Sequence, residues 1–349
     1  MPPANHIRPA ATPVVPVVDY KALKVNELGR IPVLMYHAIG GPSVGGGPRY
    51  DKLGLNIRPE TFQKQLEMMR AAGWYPINMR DALTPRIDAP AGKIPVVLTF
   101  DDARGSQFHF LKDGSLDRTC AVAIMEKFHT EHPDWPMRAT FYVMGQSKWN
   151  PVPFYQPATE AKKLQYLVQH GYEVGNHSTS HRSFRTLSPD TLTWEMAECA
   201  RYVRERAPEA TMDTLALPYG SQPKKKAQWG ALLKGTQGGT SYENRCILLA
   251  WGDPSYPPAH KKFDRMQITR MGSEPGFIED WIKNLKPGRE VSPYISDGDP
   301  NTLAIPRSAE PQLNRASLSG VRLVTWDDIP PSKAKPARSA KKSQAGSSR

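Results

Sequence analysis

Two adjacent carboxylates, Asp101 and Asp102, close the run Val96-Val97-Leu98-Thr99-Phe100, and two histidines four residues apart, His177 and His181, follow a second apolar stretch. An apolar, β-branched run reads as a strand buried on both faces, so the acids are delivered to a strand tip. Two imidazoles at that spacing can meet one ion, and a carboxylate from a neighbouring strand completes a three-donor face with positions left for water and substrate. A divalent ion held in this way lowers the pKa of its water from about 15.7 towards roughly 7 and polarises a carbonyl. The chemistry predicted is metal-assisted hydrolysis, with one aspartate on the ion and its neighbour taking the water's proton. Adjacent residues on a strand face opposite ways, so both acids serve one site only where the chain leaves the pleat. Ala103-Arg104-Gly105 supplies such an end. Taken singly, an Asp-Asp pair is a turn or a cap, and His-x-x-x-His is a common helix pairing; their joint occurrence after strand-like runs carries the reading.

Positioning such a set requires strands that end side by side, and the chain alternates accordingly. Residues 31–37 read as a strand. Pro59 stands in the first turn of a helix with Phe62, Leu66 and Met69 on one face and Gly73 at its close. The Asp-Asp strand is followed by a helix over 120–129, a strand over 139–143, a helix over 159–169 and a strand over 172–175 directly before the histidines. Ser188-Pro189 caps and opens the next helix, whose stripe of Leu192, Met196, Cys199 and Val203 is core rather than ligand. Further strands are predicted over 215–220, 246–251, 266–271 and 321–326. Repeated β-then-α units imply parallel strands with right-handed crossovers, in a barrel or a doubly wound sheet. Sites in both form at C-terminal strand ends, where Asp101, Asp102, His177, His181 and Tyr219 all fall.

With 349 residues, 39% of them hydrophobic, the chain can bury one large α/β core without a second domain. Cys120, Cys199 and Cys246 are scattered and lack CxxC spacing, which argues against both a disulfide framework and a thiolate metal site. The formal charge of +12 is unevenly placed, because Lys333, Lys335, Arg338, Lys341, Lys342 and Arg349 follow the last acid, Asp328. Residues 331–349 read as a disordered, solubilising tail in preference to a nucleic-acid arm, so no nucleic-acid partner is expected; an anionic surface or polymer is the alternative such a tail suits. Prolines at 2, 3, 9, 13 and 16 interrupt any signal-peptide core, and no apolar run reaches the roughly 18 residues of a membrane span. The expected organisation is an N-terminal extension over 1–30, a catalytic domain over 31–330 and the basic tail over 331–349.

Thr99-Phe100-Asp101-Asp102, His177-Ser178-Thr179-Ser180-His181 and Pro218-Tyr219-Gly220 occur in that order. Residues 31–37 (Ile-Pro-Val-Leu-Met-Tyr-His) lie upstream and 139–143 (Ala-Thr-Phe-Tyr-Val) between. Over about residues 31–271 the chain thereby resembles the polysaccharide deacetylase family, the NodB-homology group of carbohydrate esterase family 4. The resemblance implies a distorted (β/α)7 barrel and a hydrolase that removes N-acetyl, sometimes O-acetyl, groups from amino-sugar polymers. It implies one divalent ion, usually Zn2+, with Ni2+, Co2+ or Fe2+ suiting the same donors. It also implies Asp101 as general base, Asp102, His177 and His181 as metal ligands, and the Tyr219 N–H at the oxyanion. Exported relatives point to the cell envelope, although this chain shows no signal.

The chain departs from the family pattern at four points. Ala103 replaces the glycine that usually follows the acids, and the loop from there to Pro136 is long, which puts substrate identity in question. The arginine that usually orients the base is Ala216, and Arg270 in Gln267-Ile268-Thr269-Arg270 is the expected substitute, with a surface ion pair as the alternative. The late Leu-x-His element appears only as Leu323-Val324-Thr325-Trp326. His37 in Met-Tyr-His is therefore the expected general acid, a feature that resembles the poly-N-acetylglucosamine deacetylase branch; capping or packing is its other reading. His109, His129, His132, His170 and His260 read as surface or cap residues, and 294–300 as a solvated turn in preference to a cleft wall. Core packing is the expectation for Trp74, Trp149, Trp251 and Trp281, with sugar stacking as the alternative. The leading function is N-deacetylation of an acetylated glycan; the alternatives are a carbohydrate-binding protein on the same fold and a deacylase of a non-sugar amide.

Overall fold

The computed structural model describes residues 18–40, 54–148, 150 and 152–328. Its centre is seven parallel strands at Val33–Tyr36, Trp74–Ile77, Ile94–Phe100, Thr140–Val143, Glu173–Asn176, Thr214–Ala216 and Cys246–Leu248. Ile94–Phe100 is the hub. Val33–Tyr36 pairs with its C-terminal half, Trp74–Ile77 with its N-terminal half, and Thr140 and Phe141 with Thr99 and Phe100. Residues 268–271 complete the wall, since Leu248 bridges Ile268 and Leu34 bridges Met271, both in parallel. Two bonds mark that closure, Leu249 N–H to Ile268 O at 2.8 Å and Met271 N–H to Val33 O at 2.7 Å. The result is an α/β architecture, one of the two that the alternation predicts, and the distorted (β/α)7 barrel that the family resemblance implies.

All seven residues of Ile94–Phe100 are buried, because one face lines the barrel and the other meets helices. Val33, Val97, Tyr142, Ala216, Leu248 and Ile268 share one apolar cluster, the barrel interior. The alternate residues Leu34, Phe100, Phe141, Leu215 and Ile247 join the helix-facing cluster. By the same alternation Thr99 and Asp101 point inward with Val97.

The helices follow the expected signals. Pro59–Ala71 starts on its proline and buries Phe62, Leu66 and Met69 completely, each stabilising by roughly 1.5–3 kcal/mol. Ser188 caps Pro189–Arg206, its Oγ accepting from Thr191 N at 3.1 Å. Ala121–Glu131 and Glu160–Gln169 lie within about two residues of expectation. Lys226–Leu233, Phe277–Asn284 and the hairpin of Lys234–Gln237 with Thr240–Glu243 are additional.

Three expectations are corrected. Residues 266–271 join the wall by single bridges and form no full strand. Arg322–Trp326 is a strand, but it pairs in parallel with Thr302–Pro306 outside the barrel. Residues 294–297 are buried, at 2, 5, 1 and 2% exposure, so the solvated turn expected over 294–300 is confined to 298–300. They lie at the N-terminal end of the hub strand, with Gly92 N–H donating to Ser296 O at 2.8 Å, and so line no cleft at its other end. Residues 18–30 run into this same layer. Trp326 Nε1 donates to Val25 O at 2.9 Å, and the buried Glu27 accepts from Ala304 N at 2.7 Å. All three cysteines are buried and free. The basic tail, residues 1–17 and Trp149 lie outside the described residues.

Candidate active site

Asp101 and Asp102 sit at the C-terminal end of the hub strand, at 2 and 5% exposure. Asp101 keeps the inward direction of Val97 and Thr99. Asp102 would face outward, but its φ of 72° and the 45° of Ala103 swing the chain out of the pleat, so both carboxylates reach one place. Such angles cost a non-glycine residue about 1–3 kcal/mol and persist where surrounding structure imposes them. Here Gln107 supplies part of that constraint, its Nε2 donating to Asp101 O at 2.6 Å and to His37 O at 2.8 Å.

His177 and His181 leave the end of Glu173–Asn176 on a loop with Ser178 at φ 69° and His181 at φ 53°. The His177 Nδ1 pairs with Ala216 O at 2.9 Å, which turns Nε2 to the aspartates at 3.4 Å from Asp102 Oδ1 and 3.8 Å from Asp101 Oδ2. The His181 Nε2 is 3.2 Å from the same Oδ1. One donor atom each of Asp102, His177 and His181 lies within 4.8 Å of the others. The buried Asp102 Oδ1 has no hydrogen-bond partner among the described residues, although two imidazoles face it. An oxygen and two nitrogens converging on such an atom fit a divalent cation, and the donor set suits zinc and several neighbouring ions.

Asp101 is held from within the barrel. The Arg270 side chain is fully buried and donates Nη1 to Asp101 Oδ1 at 2.7 Å and Nη2 to Oδ2 at 2.8 Å. Its Nε donates to Leu249 O at 2.7 Å, and Nη1 also reaches Thr99 Oγ1 at 3.2 Å. This paired fork is no surface ion pair. His37, at the end of Val33–Tyr36, places Nε2 4.0 Å from Asp101 Oδ2. Its Nδ1 is buried without a hydrogen-bond partner among the described residues.

The charges shift one another. Burial pushes Asp101 up, but Arg270 and His177 outweigh it and hold the carboxyl below its ordinary value. Burial opposes ionisation of Asp102 as well, and the contacts of His177 and His181 take it well below. Burial draws His37 down, only partly offset by the two aspartates. For His177 burial acts downward too, but Asp101 and Asp102 carry it above the usual imidazole value.

Tyr219 lies in the turn Pro218–Gly220 with φ 58°, its ring 71% exposed and edge-on to His181 with centroids 4.5 Å apart. Trp251, beyond the strand Cys246–Leu248, is 45% exposed and so is not core, whereas Trp74 is buried and Trp281 packs against the helix-facing cluster. His260 is buried and pairs with Gln312 at 2.9 Å, so it is no surface residue. Leu323–Trp326 belongs to the outlying two-stranded layer.

Sequence reasoning missed Glu195. It is fully buried on Pro189–Arg206, and its Oε2 accepts from Thr179 N at 3.0 Å and Ser180 N at 2.8 Å, while Ser180 Oγ donates to Oε1. One carboxylate thus fixes the loop between the two histidines. The signal was an acid interrupting the apolar stripe of Leu192, Met196 and Cys199.

Residues 88–234 match the family model described as polysaccharide deacetylase. Among solved structures, the Streptococcus pyogenes deacetylase PplD in complex with acetate is 20% identical, with a TM-score of 0.52 over 74% of this chain and 99% of that one. BA0330 from Bacillus anthracis is 15% identical, with a TM-score of 0.50 over 74% of this chain and 69% of that one. IcaB from Ammonifex degensii is 18% identical, with a TM-score of 0.49 over 74% and 98%. At these identities the likenesses to PplD and BA0330 are ones of fold. No curated protein matches the chain. The family match runs from ahead of the strand that delivers Asp101 past the turn of Tyr219, while His37 and Arg270 lie outside it, so the similarity to the polysaccharide deacetylase family covers the segment that carries Asp101, Asp102, His177, His181 and Tyr219.

Proposed function

We propose that the chain is a metal-dependent carbohydrate N-deacetylase, in which Asp102, His177 and His181 hold one divalent ion beside Asp101 as general base. The observation that carries the reading is that three donor atoms lie within 4.8 Å of one another next to a carboxylate locked by a buried arginine. Zinc suits this oxygen-and-nitrogen set, and Ni2+, Co2+ and Fe2+ fit it as well. When bound, the ion supplies a water of lowered pKa and polarises the acyl oxygen.

The chain's own residues do the rest. Asp101, kept ionised by Arg270, takes a proton from the attacking water, and the fork fixes which lone pairs face it. His37, 4.0 Å from Asp101 Oδ2, receives that proton and passes it to the leaving amine. An imidazole whose proton affinity is lowered by burial is a strong donor once protonated. The Tyr219 N–H faces the developing oxyanion, a contact whose loss typically costs about 100- to 1000-fold in rate. The exposed rings of Tyr219 and Trp251 offer flat faces to a sugar. The Arg270 fork supports turnover over a purely sugar-binding role, because it restores the partner that Ala216 lacks.

The test is acetate release from chitooligosaccharides, peptidoglycan and poly-N-acetylglucosamine, with and without a chelator. Release that the chelator abolishes and added Zn2+ restores is expected. Absence of chelator-sensitive release from every acetylated sugar refutes the reading. Glycan binding without turnover, unchanged in Asp101→Asn, would indicate the binding protein instead.

A further inference from the structure

The Asp102 carboxylate is divided between two neighbours. Its Oδ1 faces the imidazoles of His177 and His181 at 3.4 and 3.2 Å, whereas Oδ2 accepts from both Nε and Nη2 of Arg104 at 3.0 and 2.8 Å. The Tyr155 side chain lies close enough to the Arg104 guanidinium to interact with it electrostatically.

The segment that brings Tyr155 beside Arg104 is built at a conformational cost. Tyr155 has φ 55° and the preceding Phe154 φ 60°, and a left-handed residue other than glycine costs about 1–3 kcal/mol. Neighbouring groups hold both in place. The Phe154 N–H donates to Ala103 O at 2.7 Å, Phe154 O accepts from the buried Lys163 Nζ at 3.2 Å, and the Tyr155 ring lies 3.3 Å from where a Cβ on Gly105 would stand. Tyr155 remains 40% exposed, so burial of its ring does not account for the strain.

We propose that Arg104 restricts Asp102 to ligation through one oxygen and thereby sets the coordination number, and with it the ion preference, of the site. The proposal rests on the metal-site reading above. A carboxylate with both oxygens free can chelate an ion. A guanidinium on Oδ2 occupies that oxygen's lone pairs and presents positive charge to a cation approaching from that side. One oxygen and two nitrogens, with positions left open, suit Zn2+ and Co2+; a chelating carboxylate with additional oxygens suits a harder ion such as Mn2+. Arg104 is a positioning residue, since it acts through Asp102.

The full chain, stripped of metal, is titrated with Zn2+ and with Mn2+ against a competing chelator, and the visible spectrum is recorded with Co2+ alone. For Arg104→Ala the ratio of Zn2+ to Mn2+ affinity falls about 10-fold or more, as partners behind a ligand typically govern 10- to 100-fold, and the Co2+ bands weaken as coordination number rises. Arg104→Lys, which keeps the charge but loses the paired donors, falls between. An unchanged ratio and spectrum in both variants overturns the proposal; if Arg104→Ala does not fold, an unchanged Arg104→Lys does so alone. A parent protein that binds neither Zn2+ nor Co2+ overturns the metal-site reading instead.

Discussion

Replacing Arg270 by alanine perturbs stability and the proposed chemistry together, and two assays read the two effects. Its side chain is fully buried and makes two bonds to Asp101 at 2.7 and 2.8 Å, so neither partner has solvent to fall back on. Removing one member of a buried pair leaves the other charge uncompensated, at a cost of about 3–5 kcal/mol. At about 2 °C per kcal/mol for a chain of this size, the melting temperature falls by on the order of 10 °C. Asp101 then loses the group that most lowers its proton affinity, and burial pushes its pKa up. The base works only when ionised, so the acid limb of kcat/KM moves to higher pH. With the base loosened, kcat falls towards the loss of general-base assistance, about 100- to 10,000-fold. Thermal unfolding and a pH–rate profile read these effects, and a cycle with Asp101→Asn isolates the coupling. A stability loss under about 1 kcal/mol, coupling near zero and an unmoved acid limb would refute the reasoning.

Glu195→Ala removes the carboxylate that accepts from two backbone N–H groups at one oxygen and a serine hydroxyl at the other. It costs about 1–3 kcal/mol of stability and weakens Zn2+ binding about 10- to 100-fold, checked by chelator competition. Glu27 gives a pH signature remote from the site: burial, then repulsion from Asp297, raises its pKa to about 8. The folded state therefore binds the proton that the unfolded state has released. This contribution to stability declines as pH rises from the ordinary carboxylate range to about 8, and Glu27→Gln flattens that slope in urea unfolding at stepped pH.

The acids and histidines were legible because each ends an apolar run, and runs buried on both faces mark the barrel wall. Arg270 was legible only as a replacement for the missing partner at Ala216, since its link to Asp101 joins segments far apart in sequence. Glu195 stood in view as an acid in an apolar stripe, but no local rule says that loop N–H groups await it. The positive φ of Asp102 was hidden, because such angles are legible chiefly at glycine and asparagine. The burial of 294–297 was misread because its cover comes from residues 26 and 27 at the other end of the chain. The hairpin closed by Gly238 and Gly239, with φ 55° and 79°, carries a plain two-residue turn signal in its Gly-Gly pair.

The wall over residues 268–271 is tied to its neighbours by one isolated bridge on each side. Arg270 rises from that wall and crosses the interior to a strand that is not its neighbour, so one fork is both buckle and catalytic brace. Any breathing that parts the staves there must slacken the hold on Asp101, the proposed base, in the same instant. On the proposed mechanism, resistance to unfolding and readiness for chemistry are thus written into one contact, and mutations at the seam are expected to change both.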